Sequence, residues 1–417
     1  MALTAVVTAL TVVVAINLLS GEHKTEREIS SLVGVEDPEF SRAANVLFGS
    51  PLVAGNQVTP LYNGRQIFGA MLEDIRRAQK SITFETYIYW SGEVGAAFSR
   101  ALVERAHAGV KIHLIIDAVG SAKMDATQLR AMTEAGAEIE KYRAVRWYNL
   151  DKINNRTHRK LLIVDGKIGF TGGVGIADKW DGDADSPDHW RDTHFRVIGP
   201  VVAQMQATFV EHWRTTRGTL LQGDVYFPPL SRAGEMPAQI VSSAENDGTG
   251  SIRLLYLLSI ASARRSVLLA NSYFVPDDLS VRTLIAARRR GVDVQIIVPG
   301  AQIDSEVTRA ASRRKWAPLL EAGISISEFQ PTMFHCKVMV VDDLWVSVGS
   351  TNFDNRSFRL NAEANLNVVD RGLASQERRA FEKDRLRSRP ITLAEWHHRP
   401  VLDRIGDWFA GLVGSQL

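Results

Sequence analysis

One short polar pattern occurs twice in the sequence: H-x-K, four further residues and an aspartate, at residues 158–165 and 335–342. Because alternate residues of a strand share one face, the histidine and lysine of each copy project together. Two imidazoles and two ammonium groups in one two-fold-related site suit phosphodiester chemistry. One histidine can attack phosphorus, the other can act as acid and base, and the lysines can hold the phosphate oxygens. The six motif residues are therefore our catalytic candidates: His158, Lys160, Asp165, His335, Lys337 and Asp342.

This chemistry requires no metal, because protonated lysines cannot be metal ligands, and we expect no cofactor. Asn352 follows the second motif and is a further candidate for binding the phosphate oxygens. The position that corresponds to it in the first copy, 17 residues after His158, is Gly175. The two halves of the predicted site therefore differ in their contacts to the phosphate.

The two motifs lie within a longer internal repeat. Residues 109–116 match 291–298, and residues 134–136 match 321–323, at offsets that stay between about 177 and 187 residues. Two copies of this length indicate a domain duplication. Buried strands alternate with amphipathic helices in each copy, which is typical of an α/β sheet covered on both faces. The predicted strands are 82–89, 112–116, 161–164 and 338–341, and the predicted helices are 64–78 and 95–108.

The N-terminal residues 2–19 include 14 apolar residues out of 18, and no charge precedes Glu22. At 1.5 Å per residue this segment can cross a bilayer, so we predict an uncleaved single-pass anchor. A cleaved signal peptide and a buried helix are the alternatives, but a basic n-region and an A-x-A-like site are absent. Lys24 and Arg27 follow the span, which places the catalytic part in the cytoplasm by the positive-inside rule.

The remaining boundaries follow from composition. Residues 220–250 are rich in Gly, Pro, Ser and Asp and are expected to link the two halves. Residues 399–413 have helical apolar spacing, so that this segment either packs on the domain or lies at the lipid headgroups. The predicted organisation is an anchor (1–21), a first half (22–219), a linker (220–250), a second half (251–398) and a C-terminal amphipathic segment (399–417).

Composition excludes several classes of protein. The chain has 417 residues, 45% of them hydrophobic and 23% charged, which excludes a disordered or multi-spanning membrane chain. The single cysteine, Cys336, excludes an intramolecular disulfide. A formal net charge of +2 gives no broad electrostatic attraction for nucleic acid, so we expect no nucleic-acid partner. The oligomeric state cannot be predicted from these features.

The duplicated motif resembles that of the phospholipase D superfamily, and more narrowly that of the bacterial phospholipase-D-type cardiolipin synthases. The resemblance covers residues 61–400 and is carried by H-R-K-L-L-I-V-D-G-K-I-G-F-T-G-G (158–173), H-W-R-D-T-H-F-R-V-I-G-P (189–200), A-N-S-Y-F-V-P-D (270–277) and the stretch 335–363. It implies the phospholipase D fold, in which two homologous α/β halves pack with pseudo-two-fold symmetry around one site.

The resemblance also implies roles for individual residues. His158 is expected to be the nucleophile and His335 the acid and base, although the two could be interchanged. Asp192 and Glu363 occupy the positions of carboxylates that orient the imidazoles. Asp165 and Asp342 complete the motifs and are expected to set the loop after each strand.

Two smaller groups of residues each have two interpretations. His189, Asp192 and His194 could form a metal cluster, but their place in the W-R-D-T-H stretch favours an orienting role. Four polar residues near the ends of matching strands either line a substrate cleft or serve only strand packing. They are Glu85, Tyr87, Asn271 and Tyr273.

A phosphodiester site in a membrane-anchored protein is typical of a transferase that acts on lipids. We predict transfer of a phosphatidyl group from one phosphatidylglycerol to another, which gives cardiolipin and glycerol, with anionic phospholipids and the membrane as partners. The first alternative is a hydrolase of phospholipid or, less favoured, of nucleic acid. The second is a membrane-bound lipid-binding protein without catalysis, which the two intact motifs disfavour.

Overall fold

The computed structural model describes residues 29–143, 155–243 and 250–412. The predicted anchor at 2–19 lies outside these residues. Within the described ranges, no helix is both long and apolar enough to cross a bilayer.

Seven strands and five helices lie in the described part of the first half, residues 29–143 and 155–219. The strands are β1 (Val53–Tyr62), β2 (Ser81–Thr86), β3 (Lys111–Asp117), β4 (Glu138–Tyr142), β5 (Leu161–Val164), β6 (Ile168–Gly172) and β7 (Thr193–Ile198). The helices are α1 (Pro38–Leu47), α2 (Asn63–Arg77), α3 (Glu93–His107), α4 (Ala126–Glu134) and α5 (Val202–Arg217). A single 3-10 turn, Asp178–Trp180, lies between β6 and β7.

The second half repeats this plan with additions. Its strands are β8 (Met236–Ser242), β9 (Ser266–Asn271), β10 (Phe274–Val275), β11 (Asp293–Pro299), β12 (Ser325–Phe329), β13 (Lys337–Val341), β14 (Trp345–Gly349), β15 (Phe353–Asp354), β16 (Ala364–Val369) and β17 (Ser388–Ile391). Its helices are α6 (Ser251–Ala261), α7 (Asp278–Arg289), α8 (Glu306–Arg314), α9 (Trp316–Glu321), α10 (Asn355–Arg359), α11 (Arg371–Leu386), α12 (Leu393–His397) and α13 (Val401–Leu412).

One mixed sheet of 15 strands runs through both halves. From the seam outward the first half contributes β1, β7, β6, β5, β2, β3 and β4. The second half contributes β8, β16, β14, β13, β9, β11 and β12 in the same order, and β17 extends its outer edge. At the seam β1 and β8 pair antiparallel. This repetition confirms the predicted α/β fold of two homologous halves.

Three hydrophobic clusters cover the sheet. One consists mainly of first-half residues with Met333 of the second half, and one consists mainly of second-half residues with Phe40 and Ala44 of α1. The third spans the seam and includes Phe209 and Trp213 of α5 together with Leu373 and Phe381 of α11. Burial of each such side chain stabilises the fold by about 1.5–3 kcal/mol. Because the third cluster is shared, the two halves cannot separate without exposing apolar surface, and the site between them has a rigid base.

Two of the predicted boundaries need correction or completion. The predicted linker 220–250 contains β8, whose backbone pairs with β16 and β1, so the second half begins before residue 251. The C-terminal segment forms α13, and buried Asp407 in this helix pairs with Arg313 of α8 at 2.9 Å and with Arg399 at 2.8 Å. This favours packing on the domain, and contact with lipid headgroups stays a prediction.

Candidate active site

Each motif histidine lies just before a central strand, and a backbone contact with the other half holds it there. The N–H of His158 donates to the carbonyl of Ala362 (2.9 Å), and the N–H of His335 donates to the carbonyl of Arg191 (2.7 Å). The strands that follow, β5 and β13, consist only of buried residues and fix the backbone of the motif. Ala362 and Arg191 directly precede Glu363 and Asp192, so each contact brings a carboxylate from the opposite half to the histidine.

The imidazole–carboxylate pairs are crossed between the halves. Nδ1 of His158 lies 3.0 and 3.1 Å from the two carboxylate oxygens of Glu363. Nδ1 of His335 lies 2.8 Å from Oδ2 of Asp192. Because a carboxylate can only accept, Nδ1 carries the proton in each neutral ring and Nε2 keeps its lone pair. Each histidine is thus held in the tautomer that can attack phosphorus or take a proton.

The motif lysines are buried beside these rings. Nζ of Lys160 donates to the carbonyl of His158 (2.8 Å), and Nζ of Lys337 donates to the carbonyl of His335 (2.8 Å). Lys337 also donates to the hydroxyl of Ser272 (2.7 Å), which in turn donates to Oδ1 of Asn352 (2.7 Å). Asn352 is therefore tied to the second lysine, where the sequence predicts a phosphate contact.

Burial shapes the electrostatics of this site. It lowers the pKa of His158 to about 4 and that of His335 to about 3, and the nearby lysines act in the same direction. Burial also lowers the pKa of Lys160 to about 7, with a further lowering by Lys337 of the opposite half. The pKa of Glu363 lies below its ordinary value because His158 and Lys160 offset its burial. Without a ligand, the two lysines lie beside neutral imidazoles and the carboxylates Glu363 and Asp192, and a bound phosphate would add a negative charge that favours the ammonium form of both lysines.

The two orienting carboxylates are held by different groups. The indole Nε1 of Trp180 donates to Asp192 (2.9 Å), and the backbone N–H of Thr193 donates to it as well (2.8 Å). The hydroxyl of Ser350 donates to Glu363. Gly173, which corresponds to Ser350 in the first copy, leaves room for Asp192, because a Cβ there would lie 2.1 Å from its Oδ1. Such outer contacts fix the ring orientation that catalysis requires.

The prediction of Asp165 and Asp342 as catalytic residues needs a correction, because their carboxylates do not contact the histidines or lysines of the motifs. The carboxylate of Asp165 accepts the backbone N–H groups of residues 79–81, and that of Asp342 accepts those of residues 264–266. Each aspartate lies seven residues beyond its histidine, on the order of 20 Å along an extended strand. Both have positive φ, 54° and 53°, in the turns after β5 and β13. They fix these turns, in agreement with the structural role that was expected.

Gly175 explains why the first half has no counterpart of Asn352. A Cβ at this position would lie 2.8 Å from Cβ of Ile88 and 3.2 Å from the ring of Trp180. Trp180 also donates a hydrogen bond to Asp192, so the indole cannot move aside to make room for an amide side chain at position 175. The asymmetry of the phosphate contacts is therefore built into the packing.

The alternative metal cluster does not assemble. His189 contacts Asp185 at 3.1 Å, Asp192 faces His335, and His194 is buried with no hydrogen-bond partner for its Nδ1. Across residues 29–143, 155–243 and 250–412, no group of three His, Cys, Asp or Glu residues could hold a metal ion.

The four polar residues near the strand ends divide into two kinds. The ring of Tyr87 lies edge-on to His158 with centroids 5.2 Å apart, and that of Tyr273 lies edge-on to His335 at 6.4 Å. Asn271 instead accepts the N–H of Phe353, and Glu85 is fully buried against Thr157 and His212. The tyrosines thus line the cleft, whereas the other two stabilise the packing.

Sequence reasoning missed several residues that contact the motifs. Trp180 and Trp190 lie 5.2 and 5.6 Å from the ring of His335, and Ser272 bridges Lys337 to Asn352. Arg159, the variable residue of the first motif, is fully buried and donates to the carbonyls of Thr208, Ser243 and Glu363. The signal that could have identified Arg159 is its place next to an apolar strand, where a buried arginine needs polar partners.

Comparison with known proteins identifies the relatives of this chain. A family model described as "Cardiolipin synthase, PLD-like domain" matches residues 71–213 and 256–385. The chain is 33% identical over 411 residues to a cardiolipin synthase A of Pseudomonas fluorescens, with 95% of this chain and 84% of the relative covered. It is also 33% identical over 370 residues to a cardiolipin synthase 2 of Staphylococcus epidermidis, with 88% and 75% covered.

The fold also matches a solved structure. The crystal structure of a phosphatidylserine synthase of Haemophilus influenzae superposes with a TM-score of 0.71 at 15% identity, and it covers 91% of this chain and 100% of that one. At this identity the match concerns the fold alone. Together with the two motifs and the crossed histidine–carboxylate pairs, these matches confirm the resemblance, and the chain belongs to the family of phospholipase-D-like cardiolipin synthases.

Proposed function

We propose that this protein is a phosphatidyltransferase that makes cardiolipin and glycerol from two molecules of phosphatidylglycerol. The observation that carries this proposal is the convergence of both H-x-K motifs on one buried site, with each histidine held by a carboxylate of the other half. The names of the relatives supply the substrate class. The site itself supplies a nucleophile, a proton carrier and cations for one phosphodiester.

The reaction proceeds in two displacements. Binding of the anionic phosphodiester favours the protonated form of His335, which takes up a proton on Nε2 from solvent. Nε2 of His158 attacks phosphorus of the first lipid, the bond to the glycerol headgroup breaks, and the His335 imidazolium gives its Nε2 proton to the leaving oxygen. A hydroxyl of the second phosphatidylglycerol then attacks the phosphatidyl-histidine, and His335 takes its proton. His158 is released, and cardiolipin forms. Lys160, Lys337 and Asn352 hold the non-bridging oxygens, which lowers the barrier as charge builds up.

The surroundings of the two rings support His158 as the nucleophile. The ring of His335 is enclosed by Trp180 and Trp190, and Nζ of Lys337 lies 3.2 and 3.3 Å from its nitrogens. The ring of His158 contacts Glu363 and the edge of Tyr87. The two histidines are almost equally buried, with 7% and 6% exposed, so the assignment rests on the resemblance and on the crowding of the His335 ring by the two tryptophans and Lys337.

Because the proposed substrates are lipids, the predicted anchor would bring the enzyme to the membrane that contains them. A helix formed by residues 2–19 would hold the catalytic part at the bilayer surface, on the cytoplasmic side according to Lys24 and Arg27. Both lipids would then reach the site from one leaflet.

The test is incubation of the purified full-length chain with phosphatidylglycerol vesicles, followed by product analysis by mass spectrometry. We expect cardiolipin and glycerol in equal amounts. His158→Ala and His335→Ala should abolish both products. Accumulation of phosphatidic acid without cardiolipin would overturn the transferase proposal in favour of a hydrolase, and turnover by both alanine variants would overturn the site.

A further inference from the structure

The loop between β11 and α8 lies over the seam beside the site. It begins at Gly300 and ends at Ser305, which caps α8. Ile303 in this loop and Tyr273 both pack against the hydrophobic cluster of the first half, although they belong to the second. The loop therefore lies next to both sets of catalytic residues.

This loop presents Asp304 to the site through a tyrosine. The hydroxyl of Tyr273 donates to both carboxylate oxygens of Asp304, at 2.6 and 2.7 Å, while its ring lies edge-on to His335. Burial and the neighbouring Asp304 raise the pKa of Tyr273, so the phenol stays a donor. Asp304 itself is exposed, and no lysine, arginine or histidine of the described ranges forms an ion pair with it.

An unpaired carboxylate here is unexpected, because the site binds phosphate. Asp304 is close enough to oppose the lowering of the pKa of Lys337 and to raise that of Tyr87 in the first half. It would repel a phosphate oxygen, but it can accept hydrogen bonds from hydroxyl groups. In the corresponding loop of the first half, residues 118–125, the acidic residue is Asp125, which caps α4 by accepting the N–H of Thr127, and Met124 stands at the position of Asp304. The feature therefore belongs to one side of the reaction only.

We infer that Asp304, positioned by Tyr273, binds the second free hydroxyl of the acceptor glycerol headgroup and thereby selects a vicinal diol as the acceptor. The first hydroxyl is left to attack phosphorus with His335 as its base. This inference rests on the proposed function. It makes Asp304 a specificity-determining residue for the alcohol that meets His335, which is the acceptor in the second displacement.

The experiment compares 1,2-propanediol with 1-propanol, which lacks the second hydroxyl, as acceptors added to phosphatidylglycerol vesicles. We expect the wild-type chain to prefer the diol by about 10- to 100-fold, the value of one hydrogen bond to a charged group. Asp304→Ala should remove this preference, measured as the ratio of the two phosphatidyl alcohols, and should lower cardiolipin formation relative to transfer to 1-propanol by the same factor. Tyr273→Phe should weaken the preference. Glu306→Ala, a neighbouring exposed acid of α8, is the matched control and should behave as wild type.

The possible outcomes separate the two proposals. If wild type makes cardiolipin and Asp304→Ala keeps the diol preference, the inference is wrong while the proposed function stands. Equal loss of transfer to both alcohols in Asp304→Ala also overturns it, because the residue would then act on the site in general. If wild type makes no cardiolipin, both proposals are wrong.

Discussion

The crossed pairing predicts that the two orienting carboxylates control different steps of the reaction. Glu363 belongs to the second half but contacts the nucleophile His158, whereas Asp192 belongs to the first half but contacts His335. Glu363→Gln should therefore slow attack on phosphorus. Asp192→Asn should slow proton transfer to and from the headgroup oxygens. Both replacements keep the size of the side chain, so the packing of the buried site is preserved.

The size of the effect follows from the geometry. Each contact is a buried hydrogen bond to a charged acceptor at 2.8–3.1 Å, worth about 1.5–3 kcal/mol. At 1.36 kcal/mol for each factor of ten, this corresponds to about 10- to 150-fold in rate. Glutamine can also donate to Nδ1 of His158, which moves the ring proton to Nε2. The loss for Glu363→Gln should then lie at the upper end.

The assay is rapid-quench kinetics with a phosphatidyl ester of nitrophenol, a leaving group that departs without a proton. Wild type should show a burst of nitrophenolate. In Glu363→Gln the rate of this burst should fall by the factor given above. Asp192→Asn should keep it but turn over slowly, so that phosphatidyl-enzyme accumulates and a peptide map locates it on His158. Glu321→Gln, an exposed glutamate at the end of α9, is the control. Equal slowing of the burst in both variants, or a label on His335, would refute the crossed assignment.

Three further predictions concern pH, stability and packing. The pKa of Lys160 is lowered to about 7 and that of His158 to about 4. Therefore kcat/KM should fall as the pH rises through about 7, where Lys160 loses its proton, and as it drops through about 4, where His158 gains one. A pH profile in which Lys160→Arg does not move the alkaline limb upward would contradict this. Asp165→Ala loses bonds to three backbone N–H groups and should lower the free energy of unfolding by about 2–4 kcal/mol, with kcat of the folded enzyme retained; thermal unfolding and active-site titration measure the two quantities separately. Gly175→Asn should lower the melting temperature without raising activity, because its Cβ meets Ile88 at 2.8 Å; higher activity would mean that the first half can accommodate a second amide.

The sequence predicts the central strands and the helices packed on them well, because their apolar pattern is continuous. The strand predicted at 161–164 is β5, Leu161–Val164, and the helix predicted at 64–78 is α2, Asn63–Arg77. The strand β8 was missed within the predicted linker, because short strands among Gly, Pro and Ser residues carry no clear period. β1 has the same difficulty: it contains Pro60, which is tolerated because residues 57–62 pair with β7 alone.

In the candidate site, the residues of the motifs could be predicted from local sequence, whereas their partners in the other half could not. The duplicated motif revealed the histidines and lysines, since their types and spacing are local properties. The pairing of each histidine with a carboxylate of the other half depends on how the seam closes, which no local pattern encodes. Single hydroxyl groups such as that of Ser272 were not found, because one serine at the end of a strand has no distinguishing context.

The differences between the two halves match what a two-step transfer requires. A duplication by itself gives two equivalent histidines, but the reaction needs one nucleophile and one proton carrier. The second half has Asn352 near its lysine and Asp304 on Tyr273 beside its histidine, whereas the first has Gly175 and Met124 at these places. The groups that can hold an incoming hydroxyl and the phosphate oxygens thus gather around His335. This divergence of the two copies supports the proposal that His158 is the nucleophile and His335 the proton carrier.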